Sequence, residues 1–417
     1  MPMPFDFQSI LPPGWLLEYV KAHQGYDEVP ASLHTFAMLS GFGTLFGRRV
    51  RILRGSGHPV DTTQSVVLVA PSGEGKGIAI NRCSLMLEAA APNFLITGGK
   101  ATMVGILKRF DPEEARGLIV APELGGMFGK QQYNTNFDME MTDFLDNNNT
   151  YRWETGGTAL DINKGIYRNV AAAILAGTTA SWIRRAIPGT ALEDGFFSRV
   201  FWVREVSEPI YNPTPPPIVP GWNPLVSQLH QFYQRIYNNP PIMLDIHDES
   251  KPEVKAWLDW YNKHYSMMPK GDPWQRGWWK RKPSNFLQLS LILSMSKAAR
   301  YGGPIALDVE AMEGAAKVLE WGEPGIQKIS EEMGRISPQH EIRTKVLSII
   351  ATNGYQMADS EVHRRVAYHT GLKENTDKVM WELTESGLVN EQRIQNSETK
   401  RYVKGWVLTD KGRDIFR

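Results

Sequence analysis

The sequence has few of the residues that several kinds of site require. Cys83 is its only cysteine among 417 residues, which excludes a disulfide framework and a cysteine-based zinc site and fits a reducing cytosol. No apolar run approaches the roughly 20 residues that a membrane helix needs. Residues 1–7 lack the basic region and apolar core of a signal peptide. We therefore expect a cytoplasmic protein without a membrane partner.

The sequence also lacks an excess of either charge. It contains 46 basic and 45 acidic residues, which gives a formal net charge of +1. A nearly neutral chain exerts no general attraction on nucleic acids. Any contact with DNA must therefore come from local patches.

Apolar patterning predicts the organisation of the chain. Residues 1–60 show helical spacing, and residues 61–208 alternate between strands and helices. Prolines between 209 and 224 predict a linker, and helical spacing then continues to residue 336. Residues 337–417 read as short helices followed by a β-hairpin. In the second part, near-continuous apolar runs predict an α/β fold, a parallel sheet with helices on both faces: Ser65–Ala70, Gly117–Ala121 and Val170–Gly177.

A phosphate-binding loop follows the first of these strands. Residues 70–77 read Ala-Pro-Ser-Gly-Glu-Gly-Lys-Gly and lead into a predicted helix. Gly73 and Gly75 would let backbone amides curl around phosphates, and Lys76 would reach the outer phosphates. Gly77 stands where a Ser or Thr usually holds Mg²⁺. The pattern favours nucleotide binding over an ordinary strand-to-helix turn.

Glu123 follows the second apolar strand and is a candidate for orienting water. The strand ends in Ala121-Pro122-Glu123, so that proline replaces the aspartate that usually supports Mg²⁺ in such a motif. The alternative is that Glu123 only caps a loop. No metal ligand is assigned.

Two later segments carry hydroxyl and guanidinium groups. The third strand ends in Thr178-Thr179, and residues 195–200 read Gly-Phe-Phe-Ser-Arg-Val. A threonine in this position either faces the nucleotide or caps the next helix. Arg199 either meets a phosphate or pairs locally with Glu193 or Asp194.

Together these segments resemble the phage and prophage P-loop ATPases labelled as primase- or helicase-associated proteins, which are similar to minichromosome-maintenance helicases in motif order. The resemblance covers roughly residues 30–335 and rests on residues 70–77, 121–125, 176–179 and 195–200. It implies an AAA+ fold with a helical collar (1–60), an ATPase core (61–208) and a helical lid (209–336). It also implies ATP with Mg²⁺, DNA and a hexameric ring of identical subunits.

The same resemblance implies roles for single residues. Lys76 would bind phosphate, Glu123 would orient water, and Thr178 would sense the terminal phosphate. Arg199 would act on the nucleotide of the neighbouring subunit. Arg281, before a predicted helix over 284–299, is similar to a second phosphate sensor; the alternative is a solvated basic helix end.

Two segments are candidates for binding DNA. Residues 151–163 predict a β-hairpin with a tight turn at Gly156-Gly157, from which Arg152, Lys164 and Arg168 would meet phosphates and Trp153 would stack on a base. The alternative is a hairpin that packs on its own domain. Residues 337–417 resemble a winged-helix domain, in which four basic residues would contact DNA: Lys378, Arg393, Lys400 and Arg401. The alternative is a protein-binding module.

The function predicted from the sequence is an ATP-dependent DNA helicase or translocase in phage or mobile-element replication, in the cytoplasm of a bacterial host. A primase or another replication protein is a candidate partner. A nucleotide-gated replication initiator or helicase loader with little hydrolysis is the alternative. A third interpretation is a monomeric winged-helix regulator with an ATPase core.

Overall fold

A computed structural model of the chain describes residues 5–54, 59–99, 102–127, 137–146, 149–154, 164–186, 195–205, 211–267, 273–334, 346–370, 373–395 and 401–413. The chain divides into two compact units, Met1–Ser330 and Glu331–Arg417. The second unit begins six residues before the predicted start of the C-terminal module at 337. The division does not separate the predicted collar, core and lid, and those inner boundaries stay predictions.

The strands of the first unit form three sheets. They are β1 (Val50–Leu53), β2 (Val60–Asp61), β3 (Ser65–Val69), β4 (Leu95–Gly98), β5 (Arg116–Ala121), β6 (Thr150–Glu154), β7 (Lys164–Arg168), β8 (Ala171–Thr178), β9 (Val200–Arg204) and β10 (Ile242–Asp245). The central sheet has five parallel strands in the order β4-β5-β8-β3-β9. The three strands predicted from apolar runs are its middle strands, and the predicted parallel sheet is confirmed.

Helices flank this sheet. The described helices that begin in the first unit are Phe7–Ile10, Trp15–His23, Ala31–Phe46, Lys76–Ala90, Met103–Leu107, Phe137–Leu145, Ala180–Ala186, Phe196–Arg199, Trp222–Tyr237, Pro252–Ser266, Pro273–Tyr301 and Val309–Gly334. All eight residues of β8 are buried. Because successive side chains of a strand point to opposite faces, both faces of the sheet are covered at β8.

The helix Ala31–Phe46 belongs to the layer that covers the sheet. Fifteen of its 16 residues are buried, and it contacts β3, β5 and β8. Strand β1, which precedes the predicted core in the sequence, pairs in parallel with β10, which follows the core and belongs to the predicted lid. The predicted collar and lid are therefore packed into one body with the sheet.

The C-terminal unit has its own small core. Residues 346–352 are helical, and the helices Asp359–Thr370 and Lys373–Glu385 follow. Strands β11 (Gln356–Ala358), β12 (Val389–Gln395) and β13 (Tyr402–Leu408) form an antiparallel sheet in the order β11-β13-β12. The predicted hairpin is therefore present, and the helix predicted to open at Ser337-Pro338 begins outside the described residues. A buried cluster that includes Val346, Val362, Leu383 and Trp406 holds these elements together.

Candidate functional site

The predicted phosphate loop, residues 70–77, lies at the carboxyl edge of the central sheet and is called the phosphate loop below. It leaves β3, and the helix Lys76–Ala90 begins immediately after it. Gly73 has φ of 93° and Gly75 has φ of 74°, in the left-handed region that glycine tolerates best. A Cβ at Gly75 would lie 2.4 Å from Val29 Cγ2. The loop therefore needs glycine at position 75 for two separate reasons, its backbone conformation and its close packing.

Lys76 points into the loop. Its side chain is 7% exposed, and Nζ donates hydrogen bonds to the carbonyl oxygens of Ala70 at 2.9 Å and Pro71 at 2.6 Å. Burial lowers the pKa of Lys76, while the carboxylates of Glu123 and Glu74 act in the opposite direction. The Lys76 ammonium group thus lies inside the curve of the loop, where two backbone carbonyl oxygens of the loop accept its hydrogen bonds.

Glu123 and Thr178 reach the same edge from neighbouring strands. Strand β8 lies between β3 and β5, so its end stands between the loop and Glu123. Thr178 is fully buried, and its hydroxyl has no hydrogen-bond partner among the described residues. Thr179, by contrast, caps the helix Ala180–Ala186, because its hydroxyl accepts from the amide of Trp182 at 3.2 Å. Thr179 therefore has the capping role, and the phosphate contact of Thr178 stays a prediction.

Gly177 allows the loop and the Glu123 segment to approach each other. A Cβ at this position would lie 2.6 Å from the carbonyl oxygen of Pro122 and 3.4 Å from Lys76 Cβ. The face of β8 that carries Gly177 is thus directed toward Lys76, at the start of the helix Lys76–Ala90. Sequence reasoning did not single out Gly177, although the small residue between Ala176 and Thr178 was a usable signal.

Two cavities border the loop. One of about 480 Å³ lies beside residues 69–74 and is also lined by Thr179, Arg204 and Glu205. The other, of about 560 Å³, lies beside the first turn of the helix and is lined by Tyr26, Ile78, Arg82 and Pro215, among others. The Arg82 guanidinium stands 5.3 Å from the Tyr26 ring centroid. A planar aromatic and an arginine next to a phosphate loop are suited to a nucleobase.

The residues do not fit a Mg²⁺ ion held directly by the usual protein groups. Position 77 carries no hydroxyl, and position 122 carries no carboxylate. Among the described residues, no group of three or more His, Cys, Asp or Glu side chains is arranged to hold a metal ion. A Cβ at Gly77 would meet no atom within 4 Å, so the missing hydroxyl is not excluded by packing.

Arg199 lies at the opposite, amino edge of the sheet. It ends the helix Phe196–Arg199, and the next residue, Val200, pairs with Ser65 at the start of β3. Strand β3 has five residues, or about 16 Å at 3.3 Å per residue. Arg199 is therefore separated from its own phosphate loop by the length of the strand.

Arg199 is paired with a residue that the sequence did not indicate. Its Nε donates to Asp146 Oδ1 and its Nη2 donates to Asp146 Oδ2 at 2.6 Å. Arg281 Nη2 lies 4.0 Å from Asp146 Oδ1. Glu193 and Asp194, the partners considered from the sequence, lie outside the described residues. Arg281 sits inside the helix Pro273–Tyr301, which continues through Pro283, so the expectation that it precedes the helix is wrong.

The predicted DNA-binding hairpin exists with a different register. Strands β6 and β7 are antiparallel, and Glu154 pairs with Lys164, which leaves nine residues between the strands. The strand that pairs with β6 is therefore 164–168, and the predicted turn at Gly156-Gly157 and the predicted strand at 158–163 lie outside the described residues. Trp153 is buried at 9% exposure, which favours packing on its own domain over stacking on a base.

The basic residues proposed for DNA contact differ in their surroundings. Arg152 is exposed, whereas Arg168 pairs with Glu113 at 3.1 Å. In the C-terminal unit, Arg393 and Arg401 are exposed. Lys400 and the side chains of Lys164 and Lys378 lie outside the described part of the chain.

Comparison with known proteins returned no match, either to a protein-family model or to a curated protein sequence. No helix of the described residues is both long and apolar enough to cross a membrane.

Proposed function

We propose that the chain is a P-loop ATPase of the AAA+ type that acts as an ATP-dependent DNA helicase or translocase in an oligomeric ring. The observation that carries the proposal is the phosphate loop itself. Two glycines with positive φ and a buried lysine lie at the carboxyl end of a central parallel strand, where open α/β sheets bind their ligands. The loop leads into a helix whose first amides have no partner within the helix.

Each residue of the carboxyl edge has a role in this proposal. Lys76 exchanges its two loop carbonyls for phosphate oxygens when ATP binds. Glu123 orients the attacking water. Thr178 offers a buried hydroxyl between these two groups, and its lack of a partner among the described residues is consistent with a ligand as its acceptor. The cavity with Tyr26 and Arg82 receives the base.

Arg199 acts on the nucleotide of a neighbouring subunit. Its position at the amino edge supports a role in trans, because the carboxyl edge of its own subunit is a strand length away. A guanidinium suits this task because it is always charged and binds phosphate oxygens in a fork. Arg152 in the hairpin, with Arg393 and Arg401 in a C-terminal winged helix, would contact DNA together with Lys164, Lys378 and Lys400.

Binding of a fluorescent ATP analogue tests the first step. We expect saturable binding by the wild type and a loss of about 100-fold in affinity for Lys76→Ala, on the order of two charge-assisted hydrogen bonds. Lys108→Ala, an exposed lysine of the same sheet domain, is the matched control and should bind as the wild type does. Absence of binding by the folded wild type would remove the proposal.

The second candidate is a nucleotide-gated initiator or helicase loader. The missing Mg²⁺ supports at positions 77 and 122 favour it, because slow hydrolysis suits a protein that is switched by binding alone. Steady-state ATP turnover with and without DNA separates the two. Turnover that DNA stimulates and Glu123→Gln abolishes supports a motor, and tight binding without turnover supports a gated scaffold.

A further inference from the structure

A cavity lined by described residues lies at the amino edge of the sheet, away from the phosphate loop. It measures about 800 Å³. Its wall carries four arginines, Arg48, Arg54, Arg199 and Arg281, and two carboxylates, Asp61 and Asp146. The remaining lining is mostly hydroxyl and amide groups. A cavity of this size and charge suits a short chain of phosphates.

Asp146 is close to two of the arginines that line this cavity. Both of its oxygens accept from Arg199, and Arg281 lies at 4.0 Å from one of them. The side chains of Arg199 and Asp146 are 16% and 31% exposed, so the pair is partly shielded from solvent. A carboxylate that accepts a guanidinium fork makes the same contacts as two oxygens of a phosphate.

The second carboxylate plays a different part. Asp61 accepts from the amide of Thr63 at 2.8 Å, which fixes the turn before β3. Burial raises its pKa, and Arg48 and Arg51 act in the opposite direction. Asp61 therefore has a structural role in the cavity wall. Asp146 is the carboxylate that lies between Arg199 and Arg281.

We propose that this cavity binds the phosphate chain of a nucleotide carried by a second copy of the chain, and that Asp146 holds the place of its outermost phosphate in the free subunit. The proposal rests on the proposed function and adds to it a restraint on Arg199. In the free subunit Asp146 keeps the guanidinium oriented and weakens its attraction for stray anions. In the assembly the phosphate replaces Asp146, and Arg54 and Arg281 contact the rest of the chain of phosphates.

Because Asp146 restrains Arg199, assembly depends on a nucleotide triphosphate that binds at the interface and displaces Asp146. A triphosphate carries more charge than a single carboxylate and spans more of the arginines, so it displaces Asp146. An ion pair that only anchors the helix Phe196–Arg199 predicts that ATP-dependent assembly is unchanged when the Asp146 charge is removed. The two interpretations therefore differ in what removal of this charge does to assembly, and both the affinity for tripolyphosphate and its dependence on Arg281 test the site itself.

Calorimetric titration with inorganic tripolyphosphate tests the proposal. The chain carries Lys76→Ala throughout, so that its phosphate loop does not contribute. We expect weak binding in this background, about tenfold tighter binding after Asp146→Asn, and at least tenfold weaker binding after Arg281→Ala. Asp259→Asn, an exposed aspartate, is the matched control and should leave the affinity unchanged.

Two results would overturn the proposal. One is an unchanged affinity after Asp146→Asn in protein that circular dichroism shows to be folded. The other is displacement of tripolyphosphate by a short oligothymidylate, which would assign the cavity to a nucleic-acid backbone. Arg281→Ala keeps the test decisive if Asp146→Asn fails to fold, because unchanged affinity in that variant also contradicts the site.

Sedimentation with a non-hydrolysable ATP analogue tests the part that concerns a second copy. With Lys76 restored, Asp146→Asn should assemble at about tenfold lower protein concentration than the wild type. Assembly at the same concentration would contradict the restraint. A wild type that binds no ATP analogue would instead overturn the proposed function, and the titration in the Lys76→Ala background does not depend on that result.

Discussion

The two edges of the central sheet present phosphate-binding groups of different kinds. The carboxyl edge offers backbone amides of one contiguous loop and a single lysine, Lys76. The amino edge offers guanidinium groups from separate segments, including Arg48, Arg199 and Arg281. A loop of amides closes around a phosphate in its own subunit, whereas long side chains at a surface cavity suit a phosphate that arrives from outside. In the proposed function, the carboxyl edge therefore holds the nucleotide and the amino edge acts on the nucleotide of a neighbouring subunit.

The strongest test of this difference mixes two variants. Lys76→Ala and Arg199→Ala should each lower ATP hydrolysis at least about 1,000-fold when alone, since an arginine in trans contributes on the order of 10³–10⁵. An equal mixture should recover roughly a quarter of the wild-type rate, because random pairing in a ring joins an intact loop to an intact arginine at that frequency. A mixture with no more activity than its components would place Arg199 outside the reaction.

Substitutions of two glycines with positive φ disrupt one edge of the sheet at a time, Gly75 at the carboxyl edge and Gly195 at the amino edge. Gly75→Ala adds a Cβ 2.4 Å from Val29, and Gly195→Ala adds one 2.4 Å from Arg199 Nη1. We expect Gly75→Ala to abolish binding of an ATP analogue and Gly195→Ala to keep it while lowering hydrolysis about 100-fold, since misplacement by 1 Å has effects of that order. Gly98→Ala, where a Cβ meets nothing within 4 Å, is the control for both. Equal loss of binding in the two variants would remove the distinction between the edges.

Thr178→Val separates a ligand contact from a structural hydroxyl. The buried hydroxyl has no partner among the described residues, so its removal should leave the free energy of unfolding unchanged or raise it by about 1 kcal/mol. Hydrolysis should fall at least about tenfold, the loss of one hydrogen bond to the phosphate. Urea unfolding and steady-state kinetics measure the two effects. Lower stability with unchanged hydrolysis would show that the hydroxyl is structural.

Gly77→Thr should raise the rate of ATP hydrolysis at the carboxyl edge. Because open space surrounds this position, the added hydroxyl can take the usual place beside Mg²⁺, and we expect Mg²⁺-dependent hydrolysis to rise about tenfold. Gly73→Thr is the matched control: it also has open space, but its φ of 93° disfavours any side chain. A fall in hydrolysis for Gly77→Thr comparable to that of Gly73→Thr would indicate that the loop needs glycine at both positions.

Acid should act on the segment that supports the phosphate loop. Burial and, next, His34 lower the pKa of His23 to about 4, and Asp27, bonded to His34 at 3.0 Å, lies two residues before the Val29 that packs on Gly75. A lowered folded pKa gives stability that is present above the unfolded value of about 6.5 and is lost as the pH falls toward 4. The free energy of unfolding should fall by roughly 1.4 kcal/mol per pH unit in this window from His23 alone.

Replacement of the histidine checks the assignment. His23→Gln should unfold with a shallower dependence on pH between 6.5 and 4, as measured by urea denaturation at several pH values. Gln231→Ala, an exposed residue without a titratable side chain, is the control and should retain the wild-type slope. An unchanged slope in His23→Gln would mean that other groups govern the acid transition.

Much of the fold could be predicted because its signals are local. The runs that became β3, β5 and β8 are almost entirely apolar, and a parallel strand buried on both faces needs that composition. The edge strand β4 escaped notice because Leu95–Gly98 is short and only partly apolar. The strand that pairs with β6 was predicted at 158–163 and is found at 164–168. The prediction followed the local turn signal of Gly156-Gly157, whereas the pairing of β6 with β7 depends on contacts made by whole strands.

The candidate site divides in the same way. Residues 70–77 are contiguous, so their spacing alone indicated the loop, and the strand ends indicated Glu123 and Thr178. Asp146 and Arg48 gave no signal, because an aspartate after a helix and an arginine before a strand are ordinary surface residues. Their proposed role depends on four segments that are distant in sequence and meet at the amino edge of the sheet, 48–65, 145–150, 198–199 and 281–288.

The sequence by itself determined the parallel sheet, the glycine loop with its lysine and the absence of the usual Mg²⁺ supports, because each depends on residue type and short spacing. Only the tertiary structure decided that Thr179 caps a helix, that the buried Thr178 hydroxyl has no partner among the described residues, that Trp153 packs inward, and that Asp146 joins Arg199 to Arg281. Such facts depend on which segments meet after folding, and burial and distance between remote residues are not encoded in any local pattern.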